Sequence, residues 1–149
     1  MTLRQTAADL FLKSMNGVHR AVLAVSRGRI GSNVLNMPAV QLHTTGRRSG
    51  RRRSTMLTAP IVDGDTLVVV ASKGGDDRHP DWYQNLLAHP AVEVTRNGTT
   101  RPMTARPSTA EERAEMWPRV VAAYRGYSSY QQRTEREIPL VVLEPDARN

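Results

Sequence analysis

The chain has no cysteine. Disulfides, thiolate nucleophiles and cysteine metal sites are therefore excluded. Histidine is scarce: only His19, His43, His79 and His89 occur. None of them falls in an HxH or HExxH spacing, so no protein-built metal site is expected. There is one Phe, and aromatic residues make up 5% of the chain. That leaves little material for base stacking along a nucleic-acid strand. No apolar run is long enough to cross a bilayer, and the N-terminus lacks a signal core followed by a cleavage site. Cytoplasmic residence is the expectation. The phosphate-binding patterns GxxxxGK[ST] and GxGxxG are both missing, so neither familiar nucleotide mode has motif support.

Positive charge, by contrast, is abundant. The 149 residues carry a net charge of +7, which favours anionic partners without naming one. With 39% hydrophobic and 23% charged residues, the chain suits one globular domain with a real core. The charge peaks in "LHTTGRRSGRRRSTMLTAP", residues 42–60. Arg47, Arg48, Arg51, Arg52 and Arg53 occupy five of seven consecutive positions, with Gly46 and Gly50 between and before them. Glycine lets the backbone turn and lets a ligand approach it closely. Arginine supplies planar donors that match phosphate and carboxylate oxygens in pairs. A turn of this composition suits an anion clamp, and equally a solvated loop. DNA or RNA binding would want charge spread along a face together with base-reading elements, and neither a zinc finger nor an RNP-like strand is present.

Periodicity gives a coarse plan. Leu3, Ala7, Phe11, Met15, Val18, Val22 and Val25 recur at helical spacing over residues 3–26, with Arg4, Lys13 and Arg20 between them. Such a helix suits a core cap, a homodimer contact or an anionic membrane surface. Residues 39–45 read as a strand, and 54–72 as two strands around a turn at Asp63-Gly64. Residues 91–107 repeat the device with Asn97-Gly98, and 139–145 form a final strand. Residues 79–90 allow a short helix from Pro80, with Trp82, Leu86 and Tyr83 as core-facing candidates. Residues 108–137 open on Ser108 or Thr109 before Glu111 and Glu112, a helix start signal. Pro118 should interrupt that helix and Gly126 break it again. The expected fold is mainly β with peripheral helices (α+β), six strands curling into a small barrel. The expected division is an N-terminal helix and linker over 1–38 and a barrel domain over 39–149.

A second basic strand end follows at "VVVASKGGDDRHPDWYQNL", residues 68–86. Lys73 is a further anion donor, and Gly74 and Gly75 expose backbone N–H groups. Together with "LHTTGRRSGRRR", "AYRGYSSY" and "REIPLVVLEP", this text resembles the deazaflavin-dependent nitroreductase family of actinobacteria. That family is a branch of the split β-barrel, FMN-binding-like flavin and deazaflavin oxidoreductases. The resemblance runs from about residue 39 to residue 145. It implies coenzyme F-420 as cofactor, and hydride transfer from the reduced coenzyme to a quinone, a nitroaromatic or nitroimidazole, or an activated alkene.

The resemblance also implies site roles. Arg47, Arg48 and Arg53 match positions beside the coenzyme's phosphate and carboxylates. Lys73 matches a phosphate-side lysine, with Gly74 next to it and Ser72 beside the deazaflavin. Met56, Leu57, Pro60 and Ala71 fall where the family borders the ring system, and Trp82 and Asn85 where a short helix closes the tail side. Tyr124, Tyr127 and Tyr130 occupy a tyrosine-bearing substrate wall. Tyr127, Tyr130 and Ser72 are the candidates for donating a hydrogen bond or proton to the acceptor. Arg51 and Arg52 stand where relatives carry other polar residues, and the tryptophan that follows the tyrosines in some relatives is replaced by "YQQRT". Positive charge alone suits FMN as well, so an FMN-dependent oxidoreductase of the same fold is the alternative. A non-catalytic flavin-binding barrel or a nucleic-acid module stands in a different class.

Overall fold

The computed structural model describes residues 33–34 and 36–146. The helix expected over 3–26 lies outside the described residues. The strands are β1 (Asn33–Val34), β2 (Met37–Thr45), β3 (Arg52–Thr58), β4 (Ile61–Asp63), β5 (Thr66–Val70), β6 (Ala91–Arg96), β7 (Thr99–Pro107) and β8 (Leu140–Pro145). The helices are α1 (Asp81–Ala88), α2 (Ala110–Ala123) and α3 (Gly126–Gln132). A single-turn 3₁₀ segment covers Lys73–Gly75. Every strand pairing is antiparallel. The sheet runs β1-β2-β6-β7-β8-β5-β4, with β3 added on β2.

Among the described residues eight strands appear where six were expected. Short β1 precedes residue 39, and the 54–72 stretch holds three strands because β3 and β4 are separate. Ala59 and Pro60 make the break: the Ala59 N–H bonds Pro38 O at 2.9 Å, and Pro60 has no N–H for a ladder. Both expected hairpins form. Asn97 and Gly98 have φ of 51° and 79°, the left-handed pair that a two-residue hairpin loop needs.

Alternation along the strands builds two apolar layers. On β5 and β8, Leu67, Val69, Val141 and Leu143 point into the barrel with Val40, Leu42, Val94 and Met103. Tyr83 and Leu86 of α1 fill the same interior. Val68, Val70, Leu140 and Val142 point outward, where Met116 and Val120 of α2 and Tyr127 of α3 cover them. Helix α2 starts with a full capping box. The Glu112 N–H bonds Thr109 Oγ1 at 3.1 Å, and the Thr109 N–H bonds Glu112 Oε1 at 2.8 Å. Pro118 does not interrupt this helix as the sequence suggested; α2 continues through it to Ala123. Packing of Met116 and Val120 on the sheet offsets the lost backbone bond. The break comes at Tyr124–Arg125, just ahead of Gly126.

Strand directions place the site. Following the antiparallel pairings from β5 through β8, β7 and β6 to β2, β2 and β5 run the same way. Their C-terminal ends therefore share one rim of the barrel. The arginine turn leaves β2 there, and the Lys73 turn leaves β5 there. Both tight hairpin turns lie at the opposite rim.

Candidate functional site

The arginine turn is a built structure. The Gly46 N–H bonds Arg51 O at 2.7 Å, the Gly50 N–H bonds Gly46 O at 2.9 Å, and the Arg51 N–H bonds Ser49 Oγ at 3.1 Å. A Cβ at Gly46 would sit 2.6 Å from Ser49 Oγ, and Gly50 has φ of 70°. Space at Gly46 and backbone conformation at Gly50 thus favour glycine in this turn. Against it packs α1. Asn85, buried at 5% exposure, accepts at Oδ1 from the Arg47 backbone N–H (3.1 Å) and from Arg47 Nη1 (2.9 Å). Its Nδ2 donates to Thr44 Oγ1 at 3.3 Å. Arg47 also meets the exposed Asp81 at 3.4 Å, a pair worth little in water.

Turn and helix enclose a cleft of about 490 Å³, lined by Thr44, Gly46, Arg47, Arg48, Ser49, Arg53, Ser54, Thr55, Asp81, Trp82 and Asn85. Its one acidic wall residue is Asp81. Three of the five arginines of the turn line it. Arg52 points elsewhere and pairs with Glu93, and Arg51 is outside the lining. Trp82 serves the cleft on one side and the interior core on the other; it is half-buried, and Tyr83 takes the fully buried place on α1. Behind the wall, His43 is buried between Ser54 Oγ (2.7 Å from Nδ1) and Thr95 Oγ1 (2.7 Å from Nε2). Burial, then the Arg52 charge, lower its basicity, which keeps it neutral beside the arginines.

The Lys73 turn lies on the same rim. Ser72 and Gly74 are buried and Lys73 half-buried in the 3₁₀ turn, which packs on α3 rather than in the cleft wall. Tyr124, Tyr127 and Tyr130 meet edge to face, with centroids 5.2 to 6.3 Å apart. Tyr127 is 6% exposed. Its hydroxyl meets Thr58 Oγ1 at 2.9 Å and points at Met37 Sδ at 3.9 Å. Burial raises the pKa of Tyr127, and burial followed by a hydrogen bond with Tyr124 raises that of Tyr130. Both hydroxyls therefore stay protonated at neutral pH, as hydrogen-bond donors and not bases.

Strand β3 joins the two groups. Arg53 lies at the cleft and Thr58 at the tyrosines, five residues or roughly 17 Å along the strand. Between them Met56 is buried and Leu57 half-buried, and Pro60 is half-buried just beyond the strand. Ala71 is fully buried in the barrel interior, its N–H bonded to Pro139 O at 2.9 Å. The cleft suits an anionic group, and the tyrosines form a separate aromatic wall. Among the described residues no three His, Asp or Glu side chains cluster as a metal site, and no helix is long and apolar enough to cross a membrane. Sequence reasoning missed Thr44, Ser49, Ser54, Thr55 and Thr58, whose hydroxyls carry no pattern until the strands pair. It also missed Arg136, discussed below.

A profile of the family described as F420H(2)-dependent quinone reductase matches residues 17–145. An F420H(2)-dependent quinone reductase of Mycobacterium tuberculosis is 41% identical over 130 residues, covering 85% of this chain and 87% of that protein. A solved F420-H2 dependent reductase is 41% identical with a TM-score of 0.65, covering 72% of this chain and 94% of its own. A second solved chain, described as a domain-swapped dimer, is 38% identical with a TM-score of 0.68, covering 84% and 94%. The split-barrel architecture is common to these structures and this one.

Proposed function

This chain belongs to the F420H(2)-dependent quinone reductase family, and from that premise we propose that it reduces a quinone with reduced coenzyme F-420. When bound, the coenzyme supplies a hydride, which together with one proton converts a quinone to a hydroquinone. The observation that carries this reading is the cleft walled by Arg47, Arg48 and Arg53, with the Lys73 turn on the same rim and the tyrosine wall met at the far end of β3. The donor set fits the proposed coenzyme, because paired guanidinium donors match phosphate and carboxylate oxygens. The FMN alternative is not needed.

The residues divide the work. Arg47, Arg48 and Arg53 hold the anionic arm, with Asn85 fixing Arg47 and Trp82 walling the cleft. Lys73, with Ser72 and Gly74, adds a second anion contact. Met56, Leu57, Pro60 and Ala71 border the ring. Tyr130, half-buried and protonated, donates to the acceptor oxygen as negative charge grows there. Tyr127 is held by Thr58 and braces Tyr124 and Tyr130. The basic amphipathic pattern of the first 26 residues supports contact with an anionic membrane surface, where an apolar quinone resides. The domain-swapped relative supports a homodimer. Nitroaromatic, nitroimidazole and activated-alkene acceptors form the wider class the same wall would admit.

The test is titration with coenzyme F-420 and, in parallel, FMN at physiological salt, followed by ligand fluorescence. Quinone reduction is then followed by loss of the reduced coenzyme. Micromolar F-420 binding, weakened in Lys73→Ala, with quinone turnover, is the expected result. Absence of F-420 binding would overturn the reading.

A further inference from the structure

The turn that carries Lys73 has an unusual backbone. Lys73, Gly74 and Gly75 have φ of 46°, 64° and 85° in succession. A lysine in the left-handed region is disfavoured and persists only where its surroundings impose it. The turn's own backbone bonds are few: the Gly75 N–H to Ser72 O at 2.9 Å and the Asp76 N–H to Lys73 O at 3.1 Å.

The support comes from Arg136. Its Nη2 donates to Ala71 O (3.2 Å) and Ser72 O (2.9 Å), its Nε donates to Asp76 O (2.8 Å), and its Nη1 meets His79 Nδ1 at 3.0 Å. One planar fork thus grips the chain before and after the turn. The Arg136 main chain is in turn fixed to α3: Gln131, the neighbour of Tyr130, donates from Nε2 to Arg136 O at 2.7 Å. Arg133 adds a bond from Nη1 to Gly74 O at 3.2 Å. At Gly75 the fit is so close that a Cβ would lie 2.7 Å from Tyr130 O.

We propose that Arg136 is a positioning residue that locks the Lys73 turn to the tyrosine helix. The coenzyme-side lysine and the acceptor-side tyrosines then move as one body. The proposal rests on the function assigned above. The side-chain contacts of Arg136 are polar, with main-chain carbonyls around the turn and with His79. Lysine cannot replace it, because a point charge does not reach acceptors in several directions of one plane.

The experiment has two arms. Amide hydrogen exchange over residues 71–76, without any ligand, should be at least tenfold faster in Arg136→Ala than in the parent, and intermediate in Arg136→Lys. Unchanged exchange would overturn the lock whatever the protein binds. A double-mutant cycle for F-420 affinity then combines Arg136→Lys with Lys73→Ala. If Arg136 acts through the turn, each single change weakens binding and the double change is little worse than Lys73→Ala alone. Losses that multiply would overturn the positioning role. If the parent protein binds no F-420, the functional reading fails while the exchange arm still decides the lock.

Discussion

The arginine cleft and the tyrosine wall stand at opposite ends of β3 and are built by opposite rules. The cleft is polar and open, and its arginine side chains hang on a turn whose backbone bonds do not use them. Arg47 is the exception that links it to α1, and even there the Arg47 N–H keeps Asn85 Oδ1 satisfied if the guanidinium is removed. The tyrosine wall is buried at Tyr127 and half-buried at Tyr124 and Tyr130, packed edge to face, and wedged against a turn of left-handed residues. Charge in the cleft is cheap to alter and dear to binding. Shape in the wall is the reverse, since its residues are also the outer apolar layer.

That contrast yields three expectations. The largest effect is Gly75→Ala. It places a side chain at φ of 85° and 2.7 Å from Tyr130 O, and should cost roughly 2–4 kcal/mol of stability. Denaturant melts check it, and a loss under about 1 kcal/mol would show the wall to be as loose as the cleft. Next comes Arg47→Ala. Coenzyme KM should rise about tenfold or more, with kcat and Tm nearly unchanged, because a remote charge supplies binding and little transition-state selectivity. The parent's KM should rise with salt more steeply than the variant's. A Tm drop as large as that of Gly75→Ala would erase the distinction.

The smallest effect is Tyr127→Phe, which removes the hydroxyl bonded to Thr58 and should cost about 1 kcal/mol at neutral pH. The pH sign follows from burial, which raises the pKa of Tyr127 above its ordinary value near 10. The stabilisation tied to the protonated hydroxyl is complete below pH 10 and lost as pH rises through the raised folded value. The parent's advantage over Tyr127→Phe should therefore shrink in melts above pH 10. An advantage constant with pH would mean the hydroxyl is not buried as described.

Much of the architecture was legible. Asn97-Gly98 announced its hairpin, Thr109 with Glu112 announced the start of α2, and alternating Val and Leu announced β5 and β8. Pro118 misled, because local propensity lost to the packing of Met116 and Val120 on the sheet. The extra strands were invisible because Ala59-Pro60 breaks the ladder without any glycine cluster to mark it. In the site, the five arginines of the turn read from composition as an anion clamp or a solvated loop, and the family resemblance alone set Arg47, Arg48 and Arg53 apart from Arg51 and Arg52. The physical basis of that separation is the cleft wall and the Glu93 partner across the sheet.

By itself the sequence determined the chemistry on offer: no thiol, an arginine-rich turn with glycines at its bends, a lysine beside two glycines, and three tyrosines within seven residues. Those are properties of residue type and local spacing. Only the tertiary structure decided that the two basic turns share a rim, that β3 joins cleft to tyrosines, and that Arg136 grips a turn more than sixty residues earlier. Such relations depend on strand direction and pairing across the barrel. They arise from burying two apolar layers at once, a constraint that acts on the whole chain and leaves no mark at any one position.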